Sequence, residues 1–188
     1  MGRWQPESRS RLEQAALALY GERGFEETTV AEIAARAGLT ERTFFRYFSD
    51  KREVLFGGAG MLQQVLVDAA AVAPATAGPI EVVGCVLDAI GVLFEERRDF
   101  GRQRQAIIAA SADLRERELI KLATLAAAMA DALRRRGVAD PVAGLTGEVA
   151  VAIFKIAFER WVADDNTQEL SLLMREGLAE LRAVTSGD

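Results

Sequence analysis

The chain has no histidine and a single cysteine, Cys85. Without histidine it lacks the commonest general base and transition-metal ligand, and no Ser-His or Cys-His nucleophile can be assembled. One cysteine excludes an intrachain disulfide and a cysteine zinc cluster. No catalytic residue, metal or cofactor is therefore expected. Carboxylate pairs could still move protons, so an enzyme is disfavoured by composition rather than excluded. Runs of eighteen or more apolar residues are also missing, which argues against a membrane partner. The opening MGRWQPESRSRLEQ has no apolar leader segment, so a cytoplasmic chain is expected. Pro6 stands where a myristoylation signal needs serine or threonine.

What is present points to helices. Of the 188 residues, 50% are hydrophobic and only four are proline, with alanine, leucine, glutamate and arginine dominant. The net charge of −5 taken alone argues against a nucleic-acid partner, but its distribution is uneven. Residues 1–52 carry nine Lys/Arg against eight Asp/Glu, and 36–52 carry five against two. The basic charge is local.

Cap and turn signals predict about nine helices and no strands, an all-α fold. Leu12, Ala15, Ala16 and Leu19 form a stripe on a first helix over 8–23 that Gly24 ends. Thr29 with Glu32 makes a capping box for a second, which runs to Gly38. Thr40 caps a third that ends near Phe48, and Asp50 opens a long helix towards Val72. APATAGPI, at 73–80, is the clearest break. Beyond it, helical patterns cover about 80–97, 101–111, 113–136, 141–164 and 167–184.

Two short helices joined at Gly38 behind a longer supporting helix describe a helix-turn-helix. At about 100° per residue from Glu41, Phe44 falls at about 300° and Phe48 at about 340°, a shared inner face. Arg42 and Arg46 lie on the opposite side, with Phe45 and Tyr47 on the flanks. Outward arginines are ordinarily a solvated surface. Here Thr40, Tyr47, Lys51 and Arg52 bracket them, and hydroxyl, phenol and ammonium groups suit phosphate while arginine suits a guanine edge.

The stretch TTVAEIAARAGLTERTFFRYFSDKREVLF resembles the DNA-binding domain of the tetracycline-repressor (TetR) family. Thr29, Ile33, Ala34, Ala37, Gly38, Leu39, Thr40, Thr43, Phe44, Phe45, Tyr47, Phe48 and Lys51 fall on its pattern. The resemblance implies a homodimer that places the third helix of each subunit in a major groove of a palindromic operator. It implies DNA-binding roles for Thr29, Thr40, Arg42, Thr43, Phe45, Arg46, Tyr47 and Lys51. Thr29 and Thr40 would cap helices beside the backbone, Tyr47 and Lys51 contact phosphate, and Arg42, Thr43 and Arg46 read bases. Phe45 departs from the tyrosine common at its position and has no hydroxyl to offer phosphate; sugar or a thymine methyl is its alternative contact.

The chain divides into a DNA-binding domain at 1–52 and a helical effector-binding and dimerisation domain at 53–188. Helix 141–164 is apolar on two faces and 167–184 on one, which fits either half of a four-helix dimer or an intrachain core. The dimer reading assigns Leu145, Val149, Ile153, Ile156, Leu170, Leu173, Met174, Gly177, Leu178 and Leu181 to the interface. A small-molecule pocket is expected among Cys85, Asp88, Ala89, Val92, Ile107, Ile108, Ser111, Leu122, Ala126, Met129 and Phe154, although ordinary core explains each one singly. Cys85 reads as a small buried hydrophobe before a redox switch. FGGAG at 56–60 lacks the ending of a phosphate loop; it marks either a flexible point or a close approach. The leading expectation is a repressor released from a palindromic operator by an apolar effector. An effector-independent regulator or an activator is the alternative.

Overall fold

The computed structural model describes residues 5–186; the reading of residues 1–4 as part of a leaderless start lies outside them. All elements among the described residues are helices: α1 (Gln5–Arg23), α2 (Val30–Arg36), α3 (Glu41–Tyr47), α4 (Glu53–Phe56), α5 (Ala59–Val72), α6 (Pro79–Phe94), α7 (Arg98–Ala110), α8 (Ala112–Arg135), α9 (Val142–Val162) and α10 (Leu170–Ser186). The long helix expected from Asp50 to Val72 is two, because a turn at Gly57-Gly58 interrupts it. Glycine's conformational entropy makes that the weakest point of the run. Glu53–Val72 as a whole has the length and apolar content of a membrane span, with a mean hydropathy of 1.3 in its best window. That qualifies the reading that nothing in the chain does. The turn at Gly57-Gly58 breaks it, and Leu66 and Ala70 are buried in a protein core.

The chain forms two compact units. The first is residues 1–58 with Phe100–Glu118, and the second is Ala59–Asp99 with Leu119–Asp188. The unit containing the helix-turn-helix thus extends past residue 52 and takes in most of α7 and the start of α8. Its core joins Leu12, Ala16, Tyr20, Phe25, Ile33, Phe44, Phe48 and Leu55 to Ile107, Ile108 and Leu114.

In the second unit α9 runs through the middle, which is why it is apolar on two faces. Phe94 packs its ring 5.9 Å from Phe154, 5.7 Å from Phe158 and 6.1 Å from Trp161. Gly147 lets α9 approach α8 so closely that a Cβ there would lie 2.5 Å from the Ala126 carbonyl oxygen. Gly177 similarly seats α10 on Ile153 of α9. Ile153, Leu170, Leu173, Met174 and Leu178 are therefore buried in this unit's own core. Reading them as faces for a second subunit is corrected: a stripe of this kind needs one apolar partner, and α6 and α9 supply it for the α10 residues while α10 supplies it for Ile153.

Candidate nucleic-acid interface

Local chemistry fixes the two short helices before any packing is considered. Thr29 caps α2: its backbone N–H donates to the Glu32 carboxylate at 2.9 Å, and its hydroxyl oxygen accepts from the Glu32 N–H at 3.3 Å. These bonds, the backbone one foremost, hold the Glu32 carboxyl below its ordinary pKa. At the other end Gly38 has φ +65°. Its N–H donates to the Ala35 carbonyl at 3.0 Å and that of Leu39 to the Ala34 carbonyl at 2.8 Å. This pairing closes a helix through a left-handed residue and turns the chain sharply into α3. Thr40 caps α3, its hydroxyl accepting from the Thr43 N–H at 3.2 Å and lying 3.0 Å from the Thr43 hydroxyl.

Packing then orients α3. Phe44 and Phe48 are buried, with rings 5.4 Å apart, and Ile33 and Ala37 of the preceding helix segment lie in the same core. Arg42 and Arg46 are exposed, Thr43 and Tyr47 are half-buried, and Phe45 keeps 55% of its surface in solvent. The helical-wheel division of this stretch is the one found. An Arg46 Nη donates to the Tyr47 phenol oxygen at 2.9 Å, and its guanidinium carbon lies 4.9 Å from that ring's centre. The pair forms one cationic patch in which the Tyr47 phenol oxygen is the acceptor.

Besides Arg46, three of the five basic residues at 36–52 have partners within their own unit. Arg36 forks onto Glu22 at 2.7 and 3.1 Å, and Arg52 pairs with Asp50 at 3.3 Å. Lys51 is engaged by the loop before α2. Its ammonium donates to the carbonyls of Phe25, Glu26 and Thr28 at 2.9, 3.2 and 3.0 Å and lies 4.3 Å from the centre of the Phe25 ring. An ammonium has three N–H bonds, so the phosphate contact expected of Lys51 would have to displace these. Its role here is to fasten the α1–α2 loop. Tyr20 completes the fastening by donating its phenol to the Lys51 carbonyl at 2.6 Å; burial, with Asp50 nearby, pushes that phenol's pKa up. Nothing in the sequence around Tyr20 announced this partnership.

A second support was hidden by sequence distance. Ile107, Ile108 and Ser111, expected to line a ligand pocket, belong to this unit. The two isoleucines are in its core, and Ser111 donates to Glu26 at 3.2 Å. Arg104 donates to the Leu55 carbonyl at 2.8 Å, pairs with Glu118 at 3.0 Å and covers the Phe56 ring. Burial lowers its pKa, against the pull of Glu118.

The other pocket residues separate as well. Ala126, Met129 and Phe154 are core of the second unit, with Leu122 packed against it. Val92 is 70% exposed, Ala89 is half-buried, and Asp88 pairs with Arg175 at 2.8 Å. Cys85 and Asp88 line an open groove of about 330 Å³ between α6 and α10. Among the described residues no His/Cys/Asp/Glu group could hold a metal ion.

Comparison with known proteins agrees with this geometry. The family described as bacterial regulatory proteins, tetR family, matches residues 13–56, and the MftR C-terminal domain matches residues 79–186. The HTH-type transcriptional regulator TcmR of Streptomyces glaucescens is 32% identical over 83 residues, 44% of this chain and 37% of TcmR. The chain thus matches little over a third of that relative's length. A TetR-family repressor from Thermus thermophilus, FadR in complex with lauroyl-CoA, is similar with a TM-score of 0.61 and 24% identity, covering 95% of this chain and 94% of FadR. A TetR-family regulator from Syntrophomonas wolfei gives 0.67 at 17% identity, covering 96% and 95%. SmeT, repressor of a Stenotrophomonas maltophilia multidrug efflux pump, gives 0.62 at 20%, covering 94% and 89%. These three share the fold. With the helix-turn-helix and the C-terminal domain both matched, the chain belongs to the tetR family of bacterial transcriptional regulators.

Proposed function

We propose that the protein is a homodimeric repressor that reads a palindromic operator through α3 and leaves it when a small apolar-bodied effector binds. The observation that carries the reading is the outward face of α3. Arg42, Thr43 and Arg46 are presented on a helix whose far side is locked by Phe44 and Phe48. Arg42 and Arg46 are the base readers, Tyr47 and the Thr40 end of the helix meet phosphate, and Phe45 rests on sugar or a thymine methyl.

Dimerisation is assigned to what α9 and α10 leave uncovered. Val142, Leu145, Val149, Ala152 and Ile156 recur every three or four residues along α9, and Leu145 and Ile156 are 69% and 57% exposed. Leu172 and Ala179 continue an exposed face on α10, while Leu181 is only half exposed. A two-fold pairing of such faces makes a four-helix interface.

An effector is supported by relatives of the same fold: FadR proteins solved with lauroyl-CoA and stearoyl-CoA, and SmeT solved with triclosan. Such a ligand releases DNA only if it binds the non-competent conformation more tightly. One observation favours the alternative of an effector-independent regulator or activator. The α8–α9 crossing at Gly147 and Ala126 has no room even for a methyl group, and the assigned pocket residue Ala126 stands in it.

Selection from random duplexes tests the reading. It should enrich a two-fold-symmetric site that acyl-CoA or triclosan displaces. Enrichment of no sequence would sink the regulator, and displacement by neither ligand would favour the alternative.

A further inference from the structure

The second unit carries a groove that the operator-reading function does not use. Glu81, Gly84, Cys85 and Asp88 occur at i, i+3, i+4 and i+7 on α6, and Met174, Arg175, Leu178 and Arg182 face them from α10. It is wedge-shaped for a reason visible in two glycines. At Gly91 the helices touch: a Cβ there would lie 2.8 Å from the Ser171 Cβ and 3.2 Å from its Cα. Two turns earlier, a Cβ on Gly84 would meet only the tip of Leu178, at 3.4 Å. Small side chains at 84 and 85 leave the widening gap unfilled.

Its lining carries two carboxylates and two guanidiniums, and they are not all paired with one another. Asp88 and Arg175 neutralise each other across the groove at 2.8 Å. The Glu81 carboxylate is engaged by the Gly78 N–H at 2.7 Å, capping its own helix. Arg182 has no ion-pair partner among the described residues and stands at the wide end. Below it the floor is apolar: Leu87, Met174 and Leu178 are buried, and Cys85 is half-buried.

We propose that this groove binds a small monoanionic amphiphile, an alkyl or aryl carboxylate, with its carboxylate on Arg182 and its body along Cys85, Leu178 and Met174. Arginine's fork matches a carboxylate in two parallel hydrogen bonds. Asp88 is already neutralised by Arg175, and a Glu81 carboxylate oxygen is held by the Gly78 N–H, which leaves Arg182 as the group with no ion-pair partner among the described residues to offer a ligand. The volume of about 330 Å³ admits about ten heavy atoms if each takes the ~30 Å³ of one liquid water. The site is separate from Ala126, Met129 and Phe154, and it does not depend on the chain's binding DNA.

Cys85 is the chain's one cysteine, so its alkylation reports on the groove. With the full-length protein and no DNA, octanoate at millimolar concentration should slow N-ethylmaleimide modification of Cys85 saturably, at least about fivefold. 1-Octanol should protect at least about tenfold more weakly, and Arg182→Gln should abolish the difference between them. Arg182→Lys should restore part of it, and because Arg182 is exposed, both variants should melt like the parent. Octanoate giving no protection would overturn the proposal, as would equal protection by octanol or in Arg182→Gln. A Cys85 inert to maleimide in the free protein also counts against it, since the groove would then be closed.

Discussion

Replacing Lys51 by methionine separates two roles that its position in the helix-turn-helix motif leaves confounded. The side chain makes three charge-assisted hydrogen bonds to loop carbonyls and a cation–π contact with Phe25. Hydrogen bonds to a charged group contribute about 1.5–3 kcal/mol each in isolation, and a cation–π contact at a partly exposed site about 0.5–1 kcal/mol. Lys51 is half-buried and water can replace it at the carbonyls, so the bonds will not add; a net loss of about 2–3 kcal/mol is expected. In a unit of this size that corresponds to roughly 10 °C or more in melting midpoint, at about 4–8 °C per kcal/mol. The midpoint is read by circular dichroism. The salt dependence of DNA binding is then measured well below the variant's midpoint. A lysine on a phosphate contributes about 0.9 to the slope of log K against log salt. If Lys51 holds the α1–α2 loop, Lys51→Met lowers the midpoint and leaves the slope alone. An unchanged midpoint with a slope reduced by about 0.9 per subunit would refute the structural role.

Other residues give independent checks. Gly147→Ala places a methyl 2.5 Å from the Ala126 carbonyl oxygen; it should destabilise the second unit by about 1–3 kcal/mol, the usual cost of overpacking, seen as a lower urea midpoint. Burial alone would raise the Asp50 carboxyl's pKa, but the Glu53 N–H, the Arg52 guanidinium and the Arg52 N–H together hold it below the ordinary value. Its folded pKa is thus depressed, so its contribution is present above the unfolded carboxylate pKa and is lost as pH falls through the folded one. In urea titrations Asp50→Asn should lose stability less steeply than the parent between pH 5 and 3, values chosen to bracket the unfolded carboxylate at about 3.9. Leu145→Arg together with Ile156→Arg should leave helicity intact and shift sedimentation to a monomer; a dimer that survives both would move the interface elsewhere.

What could be read from the sequence was set by near neighbours. The two faces of α3, the Thr29 and Thr40 caps and the left-handed Gly38 all follow from residues within one or two turns, where helical geometry leaves few choices. The misplacements involve partners far along the chain. Ile107 and Ile108 sit more than fifty residues from the helix-turn-helix, and their local pattern says only that one face is apolar. Nothing near them says that α7 packs with α1 and α4 residues rather than in the second unit's core. Leu170, Leu173, Met174 and Leu178 fail for the same reason: an amphipathic stripe declares that it needs a partner and not which chain supplies it. The bonds of Lys51 were not legible because its three acceptors are backbone carbonyls, which carry no side-chain identity to read.

The central claim is that α3 presents a sequence-reading face, and Arg46 tests it most directly. Fluorescence anisotropy would compare the selected palindrome with a scrambled duplex, at one stated salt concentration, for the parent and for Arg46→Ala. The account predicts a preference of at least about 10³ in the parent and a loss of about 1–3 kcal/mol of the specific term in the variant, with binding to the scrambled duplex little changed. Equal affinity of the parent for both duplexes, or a preference that Arg46→Ala leaves untouched, would contradict it.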